Sequence, residues 1–526
     1  MLECLPKLLL MSIDSTKERV AKNVMMLYMR LFLTMCISIY TSRVLLNSLG
    51  VIDYGIYNVI GGLVGMLSFL NGSLTSSSQR FLTYSIGKGD SNEVSIIFTN
   101  IIYIHILLAL IVVILSETVG IWLLDGKLNI PVNRMPSTYV AFHLSVLLMA
   151  INIVTVPYNA LIIANERMSF FAYLSIYEVT TKLIIAFLIT YIDSDKLIVY
   201  SILMTITQSS IWLIYKMCRR KYFPNIRFLK SFSKDKIKQL LSFISWNMFA
   251  SIAIMLMSQG TNLILNVFFG PVINAARALA QQVQSALTQL YINFQMAINP
   301  QITKSYAQNN LKQMHLFMFA SVKVAFVIMS AIALPFLFVC DYVLGIWLDI
   351  IPEYTSTFIK IGLLINVIDA ISNPFIIGCM ATGQIKKIMM ICGTMFCMVM
   401  PISYMLFTFG FPPYYAYISQ FSITVIAFFI RLLIVNKLLY FGVLKFSKSI
   451  IVPMVVVTSL SFSILYLINQ LFKNDDFIKL VVLGLLSVFS VLSLSFIFLF
   501  NQNERRFVVE MVTKKMNGLY VKKNLE

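Results

Sequence analysis

Little in this sequence can carry metal or redox chemistry. It has three histidines, His105, His143 and His315, scattered along the chain, and seven cysteines with no CxxC pair. A zinc site needs such ligands in closely spaced sets, and neither that nor a disulfide framework is supported. Acidic residues are few, 22 against 41 Lys and Arg. No carboxylate pair marks a reaction centre, so the chain does not read as an enzyme. Charge of either sign makes up only 12% of the residues, half of the roughly 25% usual in a soluble globule.

What is present instead is apolar length. Hydrophobic residues make up 59% of the 526, and mean hydropathy is +0.84. A spanning helix needs about 20 consecutive apolar residues, and fourteen such stretches occur between residues 24 and 500. They are too long and continuous for the alternating strands of a barrel. The expected fold class is an all-α polytopic membrane protein of about fourteen transmembrane helices. Its parts would be a segment 1–22, spans 1–6 over 23–216, a basic linker 217–240, spans 7–12 over 241–440, spans 13–14 over 441–500 and a basic tail 501–526.

The net charge of +19 follows from topology. With the amino terminus inside, Lys and Arg divide 30 to 7 between inward segments, such as 216–238, 431–448 and 501–526, and outward ones. That bias places both ends in the cytoplasm. Arg30, Lys182, Lys323 and Lys360 remain within spans. The basic run 216–238 is a cytoplasmic loop touching anionic lipid; no aromatic-basic platform supports nucleic acid.

Landmarks recur in the two halves. GIWL occurs at 120–123 and 345–348, just past the expected outer end of the third span of each half, with Trp122 and Trp347 at interface depth. Pro157 matches Pro374, Asn47 matches Asn266, and Thr83 and Ser85 match Thr303 and Ser305, all at offsets of 217 to 225. A six-span unit repeated this way returns the chain to the same side, so the copies run parallel about a pseudo-twofold axis along the membrane normal. Spans 13 and 14 have no counterpart.

Polar residues in a span mark an interior surface. In span 8, Asn274, Arg277, Gln281, Gln284, Thr288, Tyr291, Gln295 and Asn299 recur at steps of three or four, one helix face. The equivalent face of span 2, at an offset of 220, carries Tyr54, Tyr57, Gly61, Val64 with Gly65, Ser68, Asn71, Thr75 and Gln79, each step small, polar or tyrosine if Gly65 stands for its step. These stripes are expected to face each other, either around a hydrated substrate cavity or in close small-residue packing. Asp369 lies mid-span before Pro374, which removes the helical partner of the Ala370 carbonyl. A carboxylate beside an unpaired carbonyl could bind H⁺ or Na⁺; the alternative is a carboxyl bonded to Ser372 or Asn373. Glu178 is a second ion-coupling candidate, with Lys182 four residues on as its alternative partner. Arg277 lies on the stripe. Arg30 and Arg43 line the cavity or snorkel, and Lys323 and Lys360 are expected to snorkel.

The stretch LNSLGVIDYGIYNVIGGLVGMLSFLNGSLTSSSQRFLTYSIGKGD, with its Gly50, Asp53, Tyr54 and Gly55 core, resembles the amino-terminal signature of bacterial oligosaccharide flippases. These belong to the multidrug/oligosaccharidyl-lipid/polysaccharide (MOP) exporter superfamily. The resemblance spans about residues 20–440. It implies two six-helix lobes plus two extra helices, the bacterial inner membrane, and a role in O-antigen or capsule synthesis. It implies flipping of an undecaprenyl-pyrophosphate-linked oligosaccharide, with no cofactor beyond a coupling ion, alongside a polysaccharide polymerase and a chain-length regulator. Arginines on spans 1 and 8 line the cavity of the related peptidoglycan-precursor flippase, and here Arg30 or Arg43 and Arg277 occupy those helices. A multidrug exporter would want an acidic cavity, and the stripe holds no carboxylate. A membrane polymerase would want a sizeable outward loop, whereas the longest loop is inward.

Overall fold

The computed structural model describes residues 23–506 except 39, 42, 43, 46, 51, 52, 55, 58, 59, 62–68, 127–130, 227, 230–233, 349, 350, 473–475 and 503. Among the described residues there are helices and no strand. They are α1 (Asn23–Ser38), α2 (Phe69–Lys88), α3 (Ser91–Leu115), α4 (Ile121–Gly126), α5 (Met135–Ala164), α6 (Met168–Leu188), α7 (Lys196–Tyr222), α8 (Lys234–Phe269) and α9 (Pro271–Ala307). There follow α10 (Leu311–Trp347), α11 (Thr355–Thr382), α12 (Lys386–Cys397), α13 (Val399–Thr408), α14 (Tyr415–Leu439), α15 (Val443–Phe446), α16 (Val452–Asn469) and α17 (Phe477–Leu494).

Among the described residues eleven segments are long and apolar enough to cross a membrane, with α12–α13 and α15–α16 each forming one. The sequence expectation is about fourteen; α1, α2 and α9 fall short of the length or hydropathy needed, each for its own reason. α1 is a shorter apolar helix. α9 has 37 residues, ample length, but its polar stripe lowers its hydropathy. α2 carries a serine- and threonine-rich face. The starts are set locally. The Asp90 carboxylate accepts from the Asn92 and Glu93 amides at 2.9 and 3.0 Å and starts α3, directly after Gly89 at φ +79°.

By packing, the chain falls into two compact units. The first holds residues 1–255 with 296–314 and 377–394; the second holds 256–295, 315–376 and 395–526. In the first, α5 packs against α2, α3, α6 and α7, and Phe142, Ile153 and Leu161 are fully buried. One end of it is tied by Arg134, which donates to Asp53 at 2.8 Å and to Asp195 at 2.9 Å. This gives the signature aspartate a holding role. Asp195 also caps α7 through the Leu197 amide and accepts from the Ser137 hydroxyl at 2.6 Å. Burial would raise the Asp195 carboxyl, but the Ser137 hydroxyl, the Arg134 guanidinium and the Ile198 amide hold it below its ordinary value. The second unit is built on Leu265, Ala280, Phe358, Leu363 and Tyr417, with the Phe358 and Tyr417 rings stacked at 4.8 Å.

Three sequence expectations are corrected here. GIWL lies within helix rather than past its end: Gly120 closes a π-turn that runs into α4, and Gly345 to Trp347 form the last turn of α10. Trp122 and Trp347 stay exposed, as interface residues should. The glycine is sterically required only in the first copy. A Cβ on Gly120 would lie 2.3 Å from the Phe142 ring, whereas Gly345 faces open space. Lys323 does not snorkel: its side chain is 3% exposed and its ammonium donates to Glu504 at 2.7 Å, because a buried ammonium needs a counter-charge. Lys360 likewise reaches a carboxylate, Asp341, at 3.2 Å.

Candidate functional site

In the second unit the polar stripe of α9 is bonded to its neighbours. Arg277 is buried and donates to the Ser258 carbonyl of α8 at 2.8 Å. Gln284 is buried against Gly362, where a Cβ would stand 2.0 Å from its amide nitrogen. Its carbonyl accepts from Asn366 at 3.0 Å, and its side chain reaches the Tyr417 hydroxyl at 3.5 Å. Gln295, 1% exposed, donates to the Ala370 carbonyl at 2.7 Å and accepts from Asn373 at 2.6 Å. Thr288 is half-buried between them, and Gln281 is exposed with a 3.5 Å contact to Ser285. Gln281 sits about 60° around the helix from Gln284, at the rim of the bonded face.

This changes the reading of Pro374. The Ala370 carbonyl, freed from its helical bond, is not vacant: Gln295 satisfies it. A side chain from a packed helix re-pairs what proline releases. Nor is Asp369 bonded to Ser372 or Asn373. The Ser372 hydroxyl accepts from Arg431 at 2.7 Å, and Asn373 is taken by Gln295. Asp369 is half-buried, and among the described residues its carboxylate accepts no hydrogen bond. Its electrostatic neighbours are Arg431 and Tyr291.

The remaining site residues lie in the first unit. Gln79 of α2 and Asn299 of α9 line one small cavity of about 40 Å³, room for a single water. Beyond it the two helices pack tightly. A Cβ on Gly87 would meet the Ala307 Cβ at 2.8 Å and the Lys304 Cα at 3.0 Å. Asn71 is half-buried, its Oδ1 without a partner. Arg30 donates to the Ser175 hydroxyl at 3.4 Å and lies 4.7 Å over the Phe171 ring, so it packs against α6. Glu178 accepts from Lys182 at 2.6 Å. Arg43, Gly65 and Ser68 lie outside the described residues.

Two tight turns of this unit carry further polar fixtures. Between α5 and α6, Glu166 is buried; it accepts from Gln301 at 2.6 Å and pairs with Lys304, both on α9. At the end of α11, Arg80 of α2 donates to the Met380 and Ala381 carbonyls at 2.8 and 3.0 Å.

The family described as "polysaccharide biosynthesis protein" matches residues 20–306, more than half of the chain. The chain belongs to that family. No curated protein is a significant sequence match. Among solved structures, the chain is similar to an outward-facing multidrug resistance MATE family transporter of the MOP superfamily, with TM-score 0.65 and 11% identity over 80% of this chain and 96% of the other. It is similar at TM-score 0.64, with the same identity and coverage, to a MOP superfamily transporter from Pyrococcus furiosus, described as having a binding pocket of reversed polarity. A MATE structure in the bent conformation matches at TM-score 0.66 and 10% identity, over 81% of this chain and 96% of the other. The fold of this polysaccharide biosynthesis protein is thus that of the MOP superfamily transporters.

Two polar residues of this family member escape a hydropathy reading. Arg431 falls at the edge of a basic inward segment, yet it is 6% exposed inside α14. Its flanks, AFFI before and LLIV after, were the available signal. Glu166 carries no pattern of its own. Its signal is the repeat: the 217-residue offset that aligns Pro157 with Pro374 aligns Glu166 with Gly383.

Proposed function

We propose that this chain is a flippase, carrying an undecaprenyl-pyrophosphate-linked oligosaccharide from the cytoplasmic to the periplasmic leaflet of the bacterial inner membrane. Movement is by alternating access coupled to an H⁺ or Na⁺ gradient. The observation that carries the reading is a polysaccharide-biosynthesis sequence on a MOP transporter fold. Physical chemistry agrees with it. A sugar-pyrophosphate head cannot cross hydrocarbon unaided, because each unpaired polar group costs several kcal/mol to bury. α9 is a long helix rich in Gln and Asn, and Gln281 at the rim of its bonded face keeps an exposed amide for a sugar, while arginine suits pyrophosphate.

In this reading Asp369 is the coupling carboxylate and Arg431 its counter-charge. Support comes from a half-buried carboxylate that accepts no hydrogen bond beside a buried guanidinium, an arrangement that a proton or Na⁺ can compete for. Glu178, paired with Lys182, is already neutralised. The test is transfer of labelled lipid-linked oligosaccharide between leaflets of reconstituted vesicles under an imposed pH or Na⁺ gradient. Asp369→Asn should retain the protein in the membrane and abolish gradient dependence. The fold is shared with a multidrug resistance transporter, so a cationic-dye efflux arm belongs in the same assay. Dye efflux without transfer of any polyprenyl-linked glycan would replace this reading with drug export.

A further inference from the structure

Cations without carboxylate partners gather at one place in the first unit. A cavity of about 820 Å³ lies between the end of α2, the first turns of α8 and the turn joining α11 to α12. Its walls carry Arg80, Lys238 and Lys386 against a single carboxylate, Asp235, together with the amides of Gln239 and Gln384. Among the described residues none of the three cations has an acidic group within ion-pair distance.

Lysines at the inward edge of any membrane protein snorkel toward headgroups, and three features separate this cavity from that background. First, it is concave, so its charges converge instead of fanning outward. Second, Arg80 is immobilised. Two of its nitrogens are bonded to carbonyls of α11, and its plane lies over Phe81 at 4.5 Å, Tyr84 at 4.9 Å and Phe243 at 5.5 Å. Its Nη1 makes no hydrogen bond among the described residues. A guanidinium fixed in this way meets an oxyanion with little rotamer freedom left to lose. Third, the wall holds Trp246, whose ring lies 5.2 Å from the Lys386 ammonium. Trp is the side chain of the membrane interface. α12 also starts at Lys386, which adds the positive potential of its first-turn amides to the same wall.

We propose that this cavity binds the phosphate or pyrophosphate group of an anionic lipid at inward headgroup depth. Arg80 is the fixed donor, Lys238 and Lys386 are the mobile cations, and Gln239 and Gln384 serve the groups next to the phosphate. The same chemistry suits two sources, a polyprenyl-pyrophosphate lipid and an ordinary anionic phospholipid. The site does not rest on the transport reading, because it is tested by binding alone.

The test uses the full chain purified in neutral detergent. Inorganic pyrophosphate is titrated calorimetrically, and retention of a prenyl pyrophosphate, phosphatidylglycerol and phosphatidylcholine is compared by native mass spectrometry. The double variant Lys238→Gln, Lys386→Gln should weaken phosphate binding about tenfold or more, from about 1 kcal/mol per lysine at a charged lipid surface. Lys387→Gln, an exposed neighbour outside the cavity lining, should change it less than about twofold. Ser242→Trp, which fills the cavity without altering charge, should abolish it while the melting transition is retained. Retention of pyrophosphate and prenyl pyrophosphate alone identifies a lipid-linked substrate. Retention of phosphatidylglycerol alone identifies a phospholipid site. Either outcome supports the proposal. It is overturned if no phosphate species binds saturably, if Lys387→Gln weakens binding as much as the double variant, or if Ser242→Trp leaves binding intact.

Discussion

Two turns of the first unit, 217 residues apart in sequence, are secured with opposite chemistry. The turn after α5 and the turn after α11 each contain a residue in the left-handed region, Glu166 at φ +61° and Gly383 at φ +81°. Each is gripped by the end of a polar helix from the other half of the sequence. At the first turn the charge is on the turn itself: the Glu166 carboxylate is held by Gln301 and Lys304. At the second turn the residue is glycine and has nothing to offer, so Arg80 grips the last carbonyls of α11. A helix carboxyl end carries a partial negative charge and unpaired carbonyls, so a guanidinium finds there what a lysine finds on a glutamate. The two turns reach the same mechanical result, with the anion on a side chain at one and on the backbone at the other. The first turn accepts backbone strain in exchange, since a glutamate at positive φ is disfavoured where glycine is not.

The comparison breaks most sharply at Glu166. Its side chain is 3% exposed, so Glu166→Ala strands Gln301 and Lys304 without their acceptor. A buried pair broken on one side costs about 3–5 kcal/mol. Thermal unfolding in detergent should show a loss of at least the lower figure, and Glu166→Gln, which keeps an acceptor for Gln301, should lose less. A change below about 0.5 kcal/mol for the alanine variant would show that the first turn is held by apolar packing alone. Next in size is Arg80→Ala, which removes two hydrogen bonds and three ring contacts, together worth about 2 kcal/mol. Arg80→Lys should recover little, because an ammonium cannot fork to two carbonyls. Full recovery by lysine would mean that charge alone secures the second turn.

How much of this is legible in the sequence differs between the two turns. The runs of apolar residues announce the helices, and the offset between Pro157 and Pro374 announces that the turns correspond. The α9 stripe at 277, 284 and 295 follows from helical periodicity. What periodicity cannot say is where those side chains point their hydrogen bonds. Gln295 was one polar residue among eight, and its bond to the Ala370 carbonyl exists only because α9 and α11 pack at that register. Arg431 is lost for a different reason. A count of Lys and Arg by segment treats every basic residue near a span end as loop, while burial beside Ser372 is a property of packing. Glu166 and Arg80 are legible only jointly, since each partner lies more than 130 residues away.

Gly383 sharpens the comparison from the backbone side. Gly383→Ala places a Cβ 2.8 Å from Arg80 Nη2 and forces an L-residue to hold φ +81°, together about 1–2 kcal/mol. Glu166 already bears the second of these costs at the equivalent position. Arg80→Ala should therefore relieve the steric part, and the double variant should lose less than the sum of the two single losses in the same unfolding assay. Strict additivity would place the whole cost of the alanine in backbone strain.

The smallest effect concerns acid. The carboxylates of this unit can be compared by pH. Asp195 is the informative one, because the Ser137 hydroxyl and the Arg134 guanidinium hold its carboxyl below the ordinary value against the opposing effect of burial. A carboxyl lowered in the folded state contributes stability that is fully present above its unfolded-state value, near pH 4, and is lost as the pH falls through the lower folded-state value. The folded protein and Asp195→Asn should therefore differ by a constant amount from neutral pH down to about pH 5. The gap should then close as the pH drops further, because protonation removes from the parent protein what the substitution has already removed. A gap that widened with acid would show the carboxyl to be raised, with burial outweighing Arg134.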